Sequence, residues 1–276
     1  MTTGVPNSRS GSIRLPGSGL IISRLGLGFA HAHLLDAATR HALVHRALDL
    51  GITHFDTARF YSDGLSEESL GKALAGKRSS VTITSKFGLL PTPLIASMGP
   101  AAMPARKVRS LLNKLHLVPY PRRSYAPEVM RRALQASLRA LNTDYLDIYH
   151  VHEPLSDSAI SDDLITELQK AKAAGSIRAV GVSGLAGNID AVIARYGGAI
   201  DVIQSSESGW QGRSWVPDIT HSLFADAART APGGVLPGDS VRRLLTDALG
   251  RRPEGAVVVQ TSNTARLAEL VEFATG

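Results

Sequence analysis

The sequence predicts a single (β/α)₈ barrel, and three observations carry that prediction. The first is size: a chain of 276 residues with 43% hydrophobic content buries roughly three quarters of its unfolded surface. Barrels of alternating strands and helices commonly run to about 250 residues as one domain. The second is the alternation of short apolar runs with helical patterns, the signature of a parallel sheet with crossover helices. Strands are predicted near 25–29, 52–56, 81–86, 145–152, 178–183, 201–205, 218–222 and 256–260. The third is a missing motif. An open doubly wound sheet needs G-x-G-x-x-G after its first strand, but Gly26 and Gly28 are followed by His31 where the third glycine would stand.

Residues 1–12 are rich in Gly, Ser and Thr and are predicted to be a disordered tail, leaving 13–276 as one barrel domain. Residues 13–23 predict a β-hairpin around Pro16-Gly17-Ser18-Gly19 ahead of the barrel. Asp36 can cap a helix that ends at Leu50 and Gly51, and Ser66-Glu67-Glu68 opens the next. Pro127-Glu128 starts a helix through Leu141, and another spans about 158–174 before Gly175. Between Gln204 and Asp218 only 13 residues remain, among them Gly209, Gly212 and Pro217, so an irregular loop is predicted in place of the sixth helix.

Composition narrows the chemistry. There is no cysteine, which removes disulfides, thiolate metal sites and cysteine nucleophiles together. Neither a signal peptide nor a membrane span is predicted. A cytoplasmic protein without nucleic-acid or membrane partners is expected. The net charge of +6 has one source: residues 88–125 contain Arg106, Lys107, Arg109, Lys114, Arg122 and Arg123 with no Asp or Glu, and the rest of the chain is balanced.

In such a barrel, reactive side chains sit at the C-terminal ends of strands and in the loops just beyond. Asp56 ends the second strand, Tyr61 lies in its loop, Lys86 ends the third strand and His152 the fourth. Adjacent strands are about 4.8 Å apart, so these groups can converge. A free phenol with a pKa of about 10 is a poor acid near neutrality. A neighbouring ammonium lowers that value, and an aspartate keeps the ammonium charged. Neutral His152 can polarise a carbonyl by hydrogen bonding. Singly, each residue also suits a turn cap, a packed ring or a solvated strand end; their joint placement points to carbonyl reduction with Tyr61 as acid.

The segments GITHFDTARFYSDGLSEESLGKAL, VTITSKFG and DYLDIYHVHEP resemble the aldo-keto reductase superfamily. Its Asp-Thr-Ala with Tyr five residues after the Asp is matched by Asp56, Thr57, Ala58 and Tyr61, its lysine by Lys86 and its histidine by His152. The similarity continues in Gly181-Val182-Ser183, in Gln204 and in VVVQTSNTARLAEL. The resemblance implies a nicotinamide cofactor extended across the barrel mouth and a small-molecule carbonyl substrate. Ser183 and Gln204 match the carboxamide-holding positions, and Ser222 and Leu223 the pyrophosphate segment. Gln260, Thr261 and Arg266 fall in the loop that receives the adenosine 2′-phosphate. A guanidinium suits that dianion, which favours NADPH over NADH.

The sequence departs from the family at three of these places. Gly184 stands where an Asn usually follows the serine, Leu270 where a polar adenine contact is common, and Gln260 for a frequent lysine or glycine. His221 falls near the position of a ring-stacking aromatic. Phe29, His31, Phe87, Trp210 and Trp215 are candidates for the substrate pocket.

Val108, Leu111, Leu112 and Leu115 follow helical spacing, so residues 105–118 are predicted to form an amphipathic helix. Its apolar stripe is expected to face the barrel and its basic face the solvent or the substrate. As a lid it would favour anionic substrates through positive potential.

Two rival functions arise. His31-x-His33 and His150-x-His152 could each hold a divalent ion, since alternate strand residues share a face. The amidohydrolase superfamily, however, also needs histidines after strands five and six and an acid after strand eight, where Ser183, Gln204 and Gln260 stand; no metal site is expected. A module that binds NADPH as a redox sensor with slow turnover is the other alternative, and single-turnover hydride transfer separates it from a reductase.

Overall fold

The structure is a computed structural model that describes residues 11–92, 95, 102–114, 117, 121–155 and 159–275. The predicted tail at 1–10 lies outside the described residues, and the first strand, β1 (Ser12–Arg14), already includes Ser12. It pairs antiparallel with β2 (Ile21–Ser23), forming the expected hairpin. Eight parallel strands follow: β3 (Leu25–Gly28), β4 (His54–Asp56), β5 (Thr82–Phe87), β6 (Leu146–His152), β7 (Ile177–Gly184), β8 (Val202–Ser206), β9 (Ile219–His221) and β10 (Ala256–Val259). They close in the order β10-β3-β4-β5-β6-β7-β8-β9.

Helices α1 (Ala37–Asp49), α2 (Leu65–Ala73), α3 (Met103–Lys114), α4 (Pro127–Leu141), α5 (Asp162–Ala173), α6 (Ala186–Tyr196), α7 (Leu223–Thr230), α8 (Gly238–Arg251) and α9 (Thr264–Thr275) surround the strands. The Asp36 carboxylate accepts from the Thr39 N–H at 2.8 Å to cap α1, and Pro127 opens α4 at its first turn. Turns occupy most of 207–218, where no helix forms. No helix among the described residues is long and apolar enough to cross a membrane.

Strand alternation sorts side chains into two environments. Phe55, Ile83, Phe87, Tyr149 and Val151 point outward into the core shared with the helices. The inward residues form layers along the barrel axis. The floor is apolar: Ile148, Ala179, Val202, Ile219 and Ala256 pack with Leu15 and Ile22 of the hairpin segment, which plugs the barrel. The fit is close at Gly17, where a Cβ would stand 2.2 Å from the Asp201 carbonyl oxygen. Above the floor lie His54 and His150, both fully buried. Glycine makes room for them: a Cβ on Gly26 would come 2.7 Å from the His54 ring, and one on Gly181 2.1 Å from His150 Nδ1. The top layer holds Asp56, Lys86, His152, Ser183 and Gln204, all buried.

The basic helix departs from expectation. Helix α3 forms, but Val108 and Leu111 of the apolar stripe are 57% and 59% exposed while Arg106 is 4% exposed. Leu115 lies outside the described residues. The helix is turned because Asp63, buried after the β4 loop, needs a counter-charge. Arg109 supplies it at 2.7 Å and also bonds Thr92 Oγ1. The cations drawn as a solvent-facing lid therefore include two that face the protein.

Candidate active site

The site is assembled at the C-terminal mouth of the barrel. Asp56 and Lys86, ending β4 and β5, both point inward, and Lys86 Nζ lies 2.5 Å from Asp56 Oδ1 and 3.1 Å from the Thr57 carbonyl oxygen. The second Asp56 oxygen accepts from Gln204 Nε2 at 2.7 Å, and Ser183 Oγ donates to Gln204 Oε1 at 2.7 Å. One hydrogen-bonded chain thus joins β5, β4, β8 and β7. Burial pushes the Asp56 carboxyl up, but the Lys86 charge and the hydrogen bonds from Lys86 and Gln204 outweigh it and leave the group below its ordinary value. For Lys86 burial pulls down, and Asp56 with Tyr61 overcomes it, so the ammonium is retained.

Tyr61 enters from the loop. The turn it begins is strained: Ser62 and Asp63 have φ of 52° and 51°, and Gly64 of 92°. Asp63 fixes this turn, accepting from Thr92 N–H and from Arg109, both at 2.7 Å. Ser62 Oγ adds a contact of 2.8 Å with His33 Nδ1. The Tyr61 ring meets His152 edge-on with centroids 5.6 Å apart, and Lys86 Nζ lies 5.0 Å from the Tyr61 centroid. Burial pushes the Tyr61 hydroxyl above its ordinary pKa, while Lys86 pulls it down by charge and hydrogen bonding. The net direction is upward, opposite to the lowering expected from Lys86 alone. Burial, reinforced by Lys86, holds His152 far below its usual range and therefore neutral.

A cleft of about 740 Å³ opens beside this group, within the size range of small-molecule sites. Asp56 and Tyr61 line one part, Phe29 and His31 another; His221, Ser222 and Leu223 extend it along β9, and Gln260 and Thr261 along β10. The Gln260 amide faces His31, its oxygen 3.0 Å from the His31 backbone nitrogen in the orientation that satisfies both ends. The residues present fit a dinucleotide: the cleft joins Tyr61 to the N-terminus of α7, where peptide N–H groups favour a phosphate, and continues to Thr261.

Other expected residues lie elsewhere. Phe87 points away from the barrel interior, 1% exposed and stacked on Tyr149 with centroids 5.1 Å apart. Trp215 is buried against α6, its indole N–H donating to Asp190 at 2.8 Å. Trp210 packs on the same core, and neither tryptophan lines the cleft. Arg266 is outside the cleft lining and is paired with Glu269 at 2.6 Å. Leu270 is buried in the core. The His31 and His33 rings meet edge-on with centroids 6.2 Å apart, and His33 is bonded to Ser62; His150 is a fully buried interior residue, with the Val182 backbone acting on its ring. No group of three metal-binding side chains occurs among the described residues.

The model of the Aldo/keto reductase family matches residues 24–200. The chain belongs to that family. Over 176 residues it is 30% identical to methylglyoxal reductase YeaE of Escherichia coli, covering 64% of this chain and 48% of that protein. It is 32% identical to aldo-keto reductase YhdN of Bacillus subtilis over 60% of this chain and 44% of that one. The chain thus spans about half the length of the curated relatives it matches. Among solved structures it is similar to aldo-keto reductase AKR11C1 from Bacillus halodurans, at 22% identity and a TM-score of 0.75, covering 97% of this chain and 91% of that one. An aldo-keto reductase from Klebsiella pneumoniae in complex with NADPH aligns at 23% identity and a TM-score of 0.64, over 96% and 89% of the two chains.

One polar group of this family member escaped the sequence reading. Glu153 follows His152 and would turn outward by alternation, but its backbone is left-handed, with φ of 51°, and its carboxylate lies beside Gly184, Oε2 3.6 Å from where a Cβ there would stand. The signal available in the sequence was its place immediately past the end of a barrel strand.

Proposed function

We propose that this chain reduces an aldehyde or ketone to an alcohol with NADPH. The observation that carries the reading is the convergence of Tyr61, Lys86, Asp56 and His152 beside a cleft that reaches Ser222 and Thr261. Family membership supports it, as does the structural neighbour solved with NADPH.

A bound dihydronicotinamide supplies the hydride. Ser183 and Gln204 would hold its carboxamide: Gln204 spends one amide hydrogen on Asp56 and keeps the other, and Ser183 Oγ retains acceptor capacity. The rim of His221, Ser222 and Leu223 would receive the pyrophosphate end of the cleft, and Gln260 and Thr261 the adenosine end. Arg266 would serve the 2′-phosphate by exchanging its Glu269 partner, and this assignment supports NADPH over NADH.

The chain's own groups then manage the proton. Neutral His152 orients the carbonyl oxygen by donating a hydrogen bond. Tyr61 gives its hydroxyl proton to that oxygen as negative charge develops there. Lys86 stabilises the resulting phenolate, and Asp56 keeps the ammonium charged and aimed. Because burial raises the Tyr61 pKa in the free protein, proton transfer depends on Lys86 more than on a pre-formed phenolate.

Tyr61→Phe is the decisive variant. Steady-state NADPH oxidation with a panel of aromatic aldehydes, sugars, 2-oxo acids and cyclic ketones should fall by about 10²–10⁴-fold. NADPH binding, measured by fluorescence titration, should stay within about threefold. Reduction retained within tenfold in this variant overturns the assignment.

A further inference from the structure

The first turn of α2 grips three neighbouring strand ends. Ser66 Oγ donates to the Phe29 carbonyl at 2.7 Å, just past β3. The Glu67 carboxylate divides its oxygens between two donors: Oε1 accepts from Ser85 Oγ of β5 at 2.7 Å, and Oε2 from Arg59 Nη1 in the loop after β4 at 2.6 Å. A glutamate whose only task is to favour a helix N-terminus can do so from solvent. The Glu67 side chain is 0% exposed and that of Arg59 16%. Glu67 also reaches Tyr149 through charge; burial and that charge push the Tyr149 hydroxyl well up, so it stays neutral.

The two donors are chain neighbours of the proton-transfer pair. Arg59 precedes Tyr61 by two residues, and Ser85 immediately precedes Lys86. The Arg59 N–H donates in addition to the Lys86 carbonyl at 3.2 Å. Since Lys86 points into the barrel, Ser85 faces the helices, and a tie at Ser85 holds β5 from the side away from the reaction. Arg59 reaches Glu67 across Gly64, where φ is 92° and a Cβ would overlap the guanidinium. Neither Arg59, Glu67 nor Ser85 lines the cleft.

One carboxylate thus joins the loop that carries Tyr61 to the strand that carries Lys86. Lys86 Nζ lies 5.0 Å from the Tyr61 ring centroid, and a displacement of about 1 Å at such a site can cost roughly 10²-fold in rate.

We propose that Glu67 is a positioning residue for proton donation: its carboxylate locks Arg59 to Ser85 and thereby sets the separation of Tyr61 from Lys86. The inference rests on the carbonyl-reductase reading.

Glu67→Gln tests it, because the amide keeps the shape, loses the charge and turns N–H groups toward a donor. With NADPH and a small aldehyde, kcat should fall roughly 10- to 100-fold. KM for either substrate should stay within about threefold, as for an interaction felt only in the transition state. The ratio of kcat in H₂O to kcat in D₂O should increase, because slowed proton donation then governs turnover. Asp147→Asn is the control for stability alone: Asp147 is equally buried and pairs with Arg78 and Arg178 near the start of β6. That variant should unfold at lower urea concentration with kcat and the isotope ratio unchanged. A folded Glu67→Gln protein with kcat within about twofold of wild type, with its loss confined to KM, or with a lower kcat but an unchanged isotope ratio overturns the inference and leaves the reductase reading intact. No turnover of any carbonyl by the wild-type protein overturns both. Should Glu67→Gln fail to fold by circular dichroism, Ser85→Ala removes only the β5 end of the tie and carries the same readouts.

Discussion

Gln204 donates at 2.7 Å to the Asp56 oxygen that Lys86 leaves open. Positions 148 residues apart in the chain thus share one carboxylate, and the charge on Lys86 is secured from both sides. Asp56→Asn would strand an ammonium that is 1% exposed. Breaking a buried pair by removing one partner typically costs about 3–5 kcal/mol. Urea unfolding at pH 7 should show a loss of that order, together with a large fall in kcat. A loss under about 1 kcal/mol would mean that Lys86 sheds its proton at little cost, and the charged-lysine mechanism would not stand.

The middle layer of the barrel makes a separate, purely steric prediction. A methyl group on Gly181 would overlap His150, with 2.1 Å to Nδ1 and 2.4 Å to Cε1. Overpacking of this kind costs about 1–3 kcal/mol, and a ring fully buried among neighbours has little room to yield. Gly181→Ala should therefore destabilise the protein, and the same change in a His150→Ala background should cost much less. A double-mutant cycle reads the coupling directly; additive effects would place the ring elsewhere.

Acid should weaken the fold before the surface carboxylates titrate. Burial lowers His54 to about 4 and His150 to about 3, against an ordinary 6.5, and His152 falls well below. Below pH 6.5 the unfolded chain takes up protons that these residues refuse when folded, so stability declines as pH falls. Each such histidine contributes about 1.4 kcal/mol per pH unit. Asp218 acts in the opposite sense: burial raises it to about 6 from 3.8, so the folded chain binds that proton first. The net between pH 6 and 5 is close to two histidines, about 2–3 kcal/mol. Urea unfolding at pH 7, 6 and 5 measures it, with His54→Gln removing one increment. A flat profile would mean that these rings are solvated or charged in the native state.

What was legible in the sequence followed strand arithmetic. Eight apolar runs gave the strands, and the residues that end three of them gave Asp56, Lys86 and His152. Phe87, expected in the substrate pocket, faces the helices instead and stacks on Tyr149, as alternation requires of the neighbour of an inward Lys86. The other misplaced parts depended on partners distant in sequence. Helical spacing identified the stripe of α3 but not which face would pack, since that was decided by Asp63 some 46 residues before Arg109. Trp215 was drawn inward by Asp190. Glu153 was hidden by a left-handed residue that breaks strand alternation.

That Asp63–Arg109 pair also links the basic helix to catalysis. Asp63 is two residues past Tyr61, in a turn whose three left-handed residues are costly, at roughly 1 kcal/mol or more for each non-glycine. Its carboxylate is 4% exposed and the guanidinium 18%, so the pair is shielded enough to hold the turn. Arg109→Met keeps the aliphatic stem and removes the charge. Without it Asp63 retains only the Thr92 N–H among the bonds described above, and the turn should relax. Hydrogen exchange at residues 60–64 should accelerate by at least tenfold while the barrel strands stay protected. Reduction should slow through kcat for neutral and acidic carbonyls alike, because the effect passes through Tyr61 and not through attraction of the substrate. A change confined to KM for acidic substrates would restore the electrostatic lid and refute the positioning role.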